Sequence, residues 1–129
     1  MVKIAHIAIW TNNLEALKTF YIRYFNGVSN EKYMNPLKKF ESYFISFESG
    51  PSLELMRKDS ITDGFNETNE HPGITHIAFS IGSKETVISL TETLRKDGYR
   101  IVGEPRTSGD GYFESVILDL EGNRIELLA

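Results

Sequence analysis

Four residues with metal-binding side chains recur as two matched pairs along the chain. His6 lies in the segment IAHIAI (residues 4–9), and His76 lies in ITHIAF (residues 74–79), 70 residues later. Glu54 lies in LEL (53–55), and Glu126 lies in IEL (125–127), 72 residues later. Imidazole nitrogens together with carboxylate oxygens suit Zn²⁺, Ni²⁺, Co²⁺, Fe²⁺ or Mn²⁺ better than Ca²⁺ or Mg²⁺. We therefore predict that one divalent metal is held by His6, Glu54, His76 and Glu126.

The strand pattern around these residues indicates how they can converge. Successive side chains of a strand point to opposite faces, so Glu54 faces away from Leu53 and Leu55. A carboxylate desolvated in a cleft without a partner is costly, and a cation removes that cost. A single histidine or glutamate on a strand is more often an ordinary structural residue, and common descent of two halves can preserve residues without function. The recurrence of both types in both halves favours a metal site, provided that the halves face each other.

The first half of the duplication predicts a strand, a helix and three further strands. Residues 2–10 have the alternation of a strand. Asn12 or Asn13 can cap the helix, and Asn12 to Glu15 has the spacing of a capping box. Asn26-Gly27 can end the helix. Its apolar stripe contains Leu14, Leu17, Tyr21, Tyr24 and Phe25. Strands are expected near residues 28–33, 40–48 and 52–57.

The second half repeats this order of elements. Ser83 can cap a helix that runs from residue 84 to residue 96 or 97 and that Gly98 ends, with Val87, Leu90 and Leu94 on its buried stripe. Strands are expected near residues 73–81, 99–102, 113–120 and 123–128, and Glu114-Ser115 echoes Glu41-Ser42. We therefore predict a single α+β domain over residues 1–129. It consists of module one (1–57), a polar linker (58–72) and module two (73–129).

Composition excludes several classes of site and partner. The 129 residues include no cysteine, which rules out disulfides, thiolate ligands and a cysteine nucleophile. The net charge of −4 gives no positive field for nucleic acid or an anionic membrane. No apolar stretch approaches the ~20 residues of a membrane span, and the start lacks the pattern of a signal peptide. We expect a cytoplasmic protein that binds a small molecule.

Three further residues are candidates for contacts with that molecule. Trp10 lies four positions after His6, so a strand places both side chains on the same face. Arg106 and Tyr112 lie in a Gly-rich segment, residues 104–112, which is either a loop that covers a cleft or a simple connection. His71 in the linker has no counterpart in the first half, and we interpret it as a loop residue.

These motifs together resemble the vicinal-oxygen-chelate superfamily. The His6 strand, the LEL and ITHIAF segments and the ending LDLEGNRIEL (118–127) carry the resemblance, which covers essentially the whole chain. The closing D-x-E-G-N-x-I-E-L pattern is among the more specific signatures of this group. The group contains glyoxalase I, bleomycin-resistance proteins, fosfomycin-resistance enzymes, methylmalonyl-CoA epimerase and extradiol dioxygenases.

The resemblance implies a fold and a reaction. It implies paired βαβββ modules that form an open, curved mixed sheet around a metal cleft, and a homodimer whose site is built inside one chain or across two. The His/Glu/His/Glu set is similar to that of glyoxalase I. This similarity implies a metal-dependent lyase or isomerase that acts on a small carbonyl or hemithioacetal compound through an enediolate, with Glu126 as the base and Glu54 as its symmetric counterpart.

Two departures from the family pattern bear on the substrate. Bacterial glyoxalase I has a glutathione-binding arginine four residues after the first ligand histidine and an asparagine four residues after the first ligand glutamate. Here Trp10 and Lys58 stand at those positions, which weighs against glutathione as the thiol. Two alternatives stay open: a non-catalytic binding protein of the bleomycin-resistance type, and a fosfomycin-type thiol transferase. Glu54 in a ligand-like position argues against the transferase.

Overall fold

The computed structural model describes residues 1–62 and 72–129, and the chain divides into two compact units, Met1–Asp63 and Gly64–Ala129. Each unit contains one helix and one mixed sheet, which confirms the predicted α+β class with two modules. Most of the predicted linker, and His71 with it, lies outside the described residues. The assignment of a single domain stays a prediction. Neither described helix is long and apolar enough to cross a membrane.

The first unit contains six elements. In chain order these are β1 (His6–Trp10), α1 (Leu14–Phe25), β2 (Val28–Ser29), β3 (Tyr33–Asn35), β4 (Phe40–Ser46) and β5 (Ser52–Lys58). The sheet has the order β1-β5-β4-β2, and β3 also pairs with β4. Only the pairing of β1 with β5 is parallel, because the remaining strands follow one another through short turns.

One predicted strand of this unit is split in two. The segment expected as a strand near residues 28–33 forms β2 and β3 instead, separated by residues 30–32. Asn30 interrupts the ladder, since its backbone N–H donates to the carbonyl of Phe44 (3.1 Å) while its side-chain oxygen accepts from the N–H of Phe44 (2.8 Å). The side chain thus takes a bond that the backbone of a continuous strand would make. The first module therefore has one strand more than predicted.

The second unit contains five elements. These are β6 (His76–Ser80), α2 (Lys84–Lys96), β7 (Ile101–Thr107), β8 (Phe113–Leu118) and β9 (Arg124–Leu128). The sheet has the order β6-β9-β8-β7, with β6 and β9 parallel. The strand expected over residues 99–102 extends to Thr107, and the predicted loop at 104–112 is wrong in its first four residues. Two register shifts along β7 allow the strand to continue past Pro105.

Both helices begin and end by local hydrogen bonds. Asn13, rather than Asn12, is the N-cap of α1, and its side-chain oxygen accepts from the N–H of Ala16 (3.2 Å). The capping box predicted from Asn12 to Glu15 is therefore wrong. Asn26 adopts the left-handed conformation (φ 55°) that ends α1. The predicted cap of α2 at Ser83 and its end at Gly98 (φ 93°) are confirmed.

Each helix covers one face of the sheet in its own unit. In α1, Phe20 is buried although the predicted stripe omitted it, and Tyr24, which the stripe included, is only half-buried. In α2, Thr91 takes the place predicted for Leu90. Its hydroxyl donates to the carbonyl of Val87 (2.6 Å) and bonds the hydroxyl of Ser115 (2.8 Å). The opposite face of each sheet carries the candidate ligands, His6 and Glu54 in the first unit and His76 and Glu126 in the second.

Candidate metal-binding pairs

The first pair is built by the parallel pairing of β1 with β5. Ala8 lies opposite Glu54, so His6 and Glu54 are diagonal neighbours on one face of the sheet. The distance from Nε2 of His6 to Oε1 of Glu54 is 3.5 Å. The ring of Phe44 contacts the imidazole edge-on, with 5.4 Å between centroids. Leu53 and Leu55 are buried on the other face, as the alternation predicted.

The second pair repeats this construction with β6 and β9. Ala78 lies opposite Glu126, and the distance from Nε2 of His76 to Oε2 of Glu126 is 3.2 Å. Each glutamate side chain is 18% exposed, whereas His6 and His76 are 45% and 37% exposed. Each pair therefore presents one accessible imidazole beside one largely desolvated carboxylate.

The donor spacing in each pair fits a shared metal ion. Bonds of about 2.0–2.2 Å to nitrogen and oxygen place two neighbouring ligands about 2.8–3.1 Å apart at a right angle and about 3.3–3.6 Å apart at the tetrahedral angle. The observed separations of 3.5 and 3.2 Å lie at or close to these spacings. Within residues 1–62 and 72–129, no group of three or more His, Asp or Glu side chains is arranged to hold a metal. Each pair thus supplies two donors, and their joint action stays a prediction.

Two other acidic side chains, in addition to burial and His76, affect the pKa of Glu126. Burial raises the pKa of Glu126, and the carboxylates of Glu114 and Asp110 raise it further against the opposing effect of His76. Glu114 is 15% exposed, and its carboxyl group is one of the neighbours that raise the pKa of Glu126. Nη1 of Arg106 lies 3.5 Å from Oε1 of Glu114. Arg106 therefore reaches the surroundings of Glu126 through Glu114.

The sequence repeat did not indicate Glu114 as a site residue, because the match of Glu114-Ser115 with Glu41-Ser42 is one residue out of register. Phe44 lies opposite Glu54, and Val116 lies opposite Glu126, so the structural counterpart of Glu114 is Ser42. Glu41 lies on the other face, where it pairs with Lys32 (3.4 Å) and Arg57 (3.8 Å). If alternate residues are counted back from Glu126 through the turn at Gly122, Glu114 falls on the same face of the sheet as Glu126.

The D-x-E-G-N segment, residues 119–123, is a turn that sets the start of β9. Oδ1 of Asp119 accepts from the N–H groups of Glu121 (2.9 Å) and Asn123 (3.0 Å), and Oδ2 accepts from the side-chain amide of Asn123 (3.0 Å). Gly122 supplies the positive φ of 81° that the turn requires. This local network fixes where β9 begins and therefore which face Glu126 occupies.

The three candidate substrate residues lie in different settings. Trp10 is 41% exposed on the same face as His6, with the ammonium of Lys58 4.9 Å from its ring. Arg106 lies in β7 beside Glu114. Tyr112 is 56% exposed, and its carbonyl accepts from the N–H of Ser108 (2.7 Å), which closes a short loop after β7. The structure brings Arg106 to the Glu126 pair and Trp10 to the face of the His6 pair.

Comparison with known proteins agrees with these motifs. A model of the Glyoxalase/Bleomycin resistance protein/Dioxygenase superfamily matches residues 3–127. The chain belongs to this superfamily. This confirms the resemblance drawn from the sequence, while the particular activity stays a matter for proposal.

Several members of the superfamily can be compared directly with this chain. The uncharacterized protein YqjT of Bacillus subtilis (strain 168) is 25% identical over 135 residues, which cover 96% of this chain and 96% of YqjT. The trypanothione-dependent glyoxalase I of Leishmania major is 23% identical, covers 99% of this chain over 86% of its own, and has a TM-score of 0.78. Glyoxalase I from Zea mays is 21% identical with a TM-score of 0.75, and this chain spans 44% of its length. At these identities the solved structures show the shared fold.

Proposed function

We propose that this protein is a metal-dependent lyase or isomerase that acts on a small carbonyl compound such as a hemithioacetal. One divalent ion (Zn²⁺, Ni²⁺, Co²⁺, Fe²⁺ or Mn²⁺) would be held by His6, Glu54, His76 and Glu126, from one chain or from two copies in a homodimer. The observation that carries the proposal is the pair of His–Glu contacts at 3.5 and 3.2 Å, both built by the same parallel strand pairing. When bound, the ion would polarise neighbouring oxygens of the substrate and stabilise an enediolate.

Glu126 is the proposed base. Its carboxylate is largely desolvated, and its pKa is raised by burial and by neighbouring carboxylates, so it accepts a proton more readily than an exposed glutamate. His76 orients one oxygen of Glu126, and Glu114 on the neighbouring strand raises the pKa of the same carboxyl group. Glu126 would take the proton from the carbon next to the carbonyl and return it to the neighbouring carbon. Glu54 is its symmetric counterpart, with Phe44 opposite it where Glu126 has Val116.

The base assignment can be tested by Glu126→Gln. The amide keeps an oxygen donor but cannot take the proton, so the variant should retain much of its metal and lose roughly 10²–10⁴-fold in turnover. Methylglyoxal with several thiols is the assay, and metal content is measured on the same samples. Glu54→Gln is the matched variant, for which we expect a smaller loss of turnover per bound metal. Full activity of Glu126→Gln would reject the assignment.

A second candidate function is supported by the exposure of Trp10. A protein that sequesters a small aromatic compound without catalysis would use an accessible indole on the ligand-facing side of the sheet, and Trp10 is 41% exposed there. Metal analysis after purification without added ions separates the two functions. A metal-free protein of unchanged stability favours sequestration. Turnover with a thiol as the transferred group would instead favour the fosfomycin-type reaction.

A further inference from the structure

A cluster of three aromatic rings and one lysine lies on the side of the first sheet that carries His6 and Glu54. It consists of Trp10, Tyr33, Phe40 and Lys58, which we call the aromatic cluster. The ring centroids of Trp10 and Phe40 are 6.3 Å apart, and those of Tyr33 and Phe40 are 6.0 Å apart. Trp10 is 41% and Tyr33 47% exposed, so two of the rings offer open apolar surface.

The strand register places this cluster on the same face as the first His–Glu pair. Phe40 lies opposite Lys58, and Trp10 lies opposite Met56, two residues beyond Glu54 on the same strand. Trp10 lies four positions after His6, which corresponds to about 13 Å along a strand. The side chain between them on this face of β1 is Ala8, which is small. A ligand lying along this face can therefore reach both the pair and the cluster.

Lys58 gives the cluster a positive charge that no carboxylate among the described residues neutralises. Its ammonium lies 4.9 Å from the ring of Trp10. In the part of the chain that the structure describes, no carboxylate lies within ion-pair distance of Lys58. The nearby Asp59 and Glu41 pair with Arg57 instead, at 3.3 and 3.8 Å. An ammonium seated over an aromatic face keeps its hydrogen-bond donors for another partner.

We propose that the aromatic cluster binds a planar ring that carries a carboxylate or a similar anionic group, with the anion on Lys58 and the ring against Trp10 and Tyr33. The cluster would hold the distal part of the substrate, so this inference rests on the proposed function for the link to chemistry. It assigns the substrate class as an aromatic acid. It also accounts for the replacement of two glutathione-binding positions by Trp10 and Lys58.

Trp10 is the only tryptophan in the chain, so its fluorescence reports binding directly. Metal-free protein is titrated with benzoate while Trp10 is excited. We expect a saturable change, and weaker binding of two matched probes: benzyl alcohol, which lacks the charge, and cyclohexanecarboxylate, which lacks the aromatic ring. Lys58→Met, which removes the ammonium and keeps an unbranched stem, should weaken benzoate binding roughly fivefold.

Lys84→Met is the matched control, because the ammonium of Lys84 lies 5.4 Å from the ring of Phe113 in the other unit. It should leave benzoate binding unchanged, and circular dichroism verifies that both variants are folded. The proposal is overturned if the wild-type protein gives no saturable change, if both lysine variants lose equally, or if either matched probe binds as well as benzoate. Since neither metal nor turnover is needed, this result is independent of the fate of the Glu126 assignment.

Discussion

At the scale of single residues, Asp119 shows how a residue without chemistry of its own can place one that has it. Its carboxylate is 5% exposed and accepts from two backbone N–H groups and one side-chain amide in the turn before β9. These three bonds are local, since their donors lie within four residues of Asp119. Glu126 follows three residues after the last of them, Asn123. The D-x-E-G-N part of the motif is therefore a turn that sets the register of β9, the strand that carries Glu126.

Replacing Asp119 by alanine should destabilise the protein by about 1–3 kcal/mol, because partly buried N–H groups of the turn lose their acceptor. Asp119→Asn keeps one side-chain oxygen but faces the amide of Asn123 with a second donor, so a smaller loss is expected. Urea unfolding of the two variants measures the difference. Equal stability of Asp119→Ala and the wild type would show that the turn is held by other contacts.

At the scale of elements, Glu15 ties α1 to the sheet beneath it. The hydroxyl of Tyr43 on β4 donates to its carboxylate (2.9 Å), and Nζ of Lys32 lies 3.1 Å from Oε2. Burial of Glu15 would raise its pKa, but the hydrogen bonds with Lys32 and Tyr43 outweigh burial and hold the pKa below the ordinary value of 4.5. A lowered pKa in the folded state means that the contact stabilises the protein above pH 4.5 and is lost as the pH falls through the folded pKa.

Glu15→Gln should lower the free energy of unfolding by about 0.5–1 kcal/mol at neutral pH, since solvent screens a carboxylate that is more than half exposed. The difference from the wild type should shrink as the pH falls below 4.5. Glu85→Gln is the matched control, because Glu85 occupies the same second position of α2 and feels the same helix dipole. Urea unfolding at several pH values tests this. A loss of equal size in both variants would assign the effect to the dipole rather than to Lys32 and Tyr43.

At the scale of the whole molecule, the proposed reaction depends on two half-sites acting as one. Each unit supplies two donors at chelating distance. Four protein ligands of nitrogen and oxygen type would together hold a divalent ion, whereas two alone bind one weakly. The first unit adds the exposed aromatic cluster, and the second adds Glu114 and Arg106. The two modules thus carry the same pair of candidate ligands but differ in the residues around that pair.

If the four ligands share one ion, elemental analysis should find one metal per chain. Removing either half-site, by His6→Ala with Glu54→Ala or by His76→Ala with Glu126→Ala, should then abolish most of the binding. Retention of half the metal in each double variant would contradict a shared site, because it is the result expected of two independent ones. Mixing the two double variants reveals the source of the ligands: recovery of metal requires a site built from two copies of the chain.

The sequence by itself determined what depends on near neighbours along the chain. Strand alternation placed Glu54 and Glu126 on the face of the strand away from their leucine and isoleucine neighbours. The residues Ser83 and Gly98 defined the two ends of α2. Both features arise from interactions within a few residues. The recurrence of motifs at offsets of 70 and 72 residues gave both modules and both candidate pairs.

Only the tertiary structure decided what depends on pairing between distant strands. The register of β8 against β9 brought Glu114 beside Glu126, and the register of β4 against β5 brought Phe40 beside Lys58. Asn30 broke a strand that its own segment favoured, because its partner Phe44 lies 14 residues away. A shift of one residue in either strand pairing would move Glu114 or Phe40 to the other face of its sheet. No local pattern in the chain sets the register of these pairings.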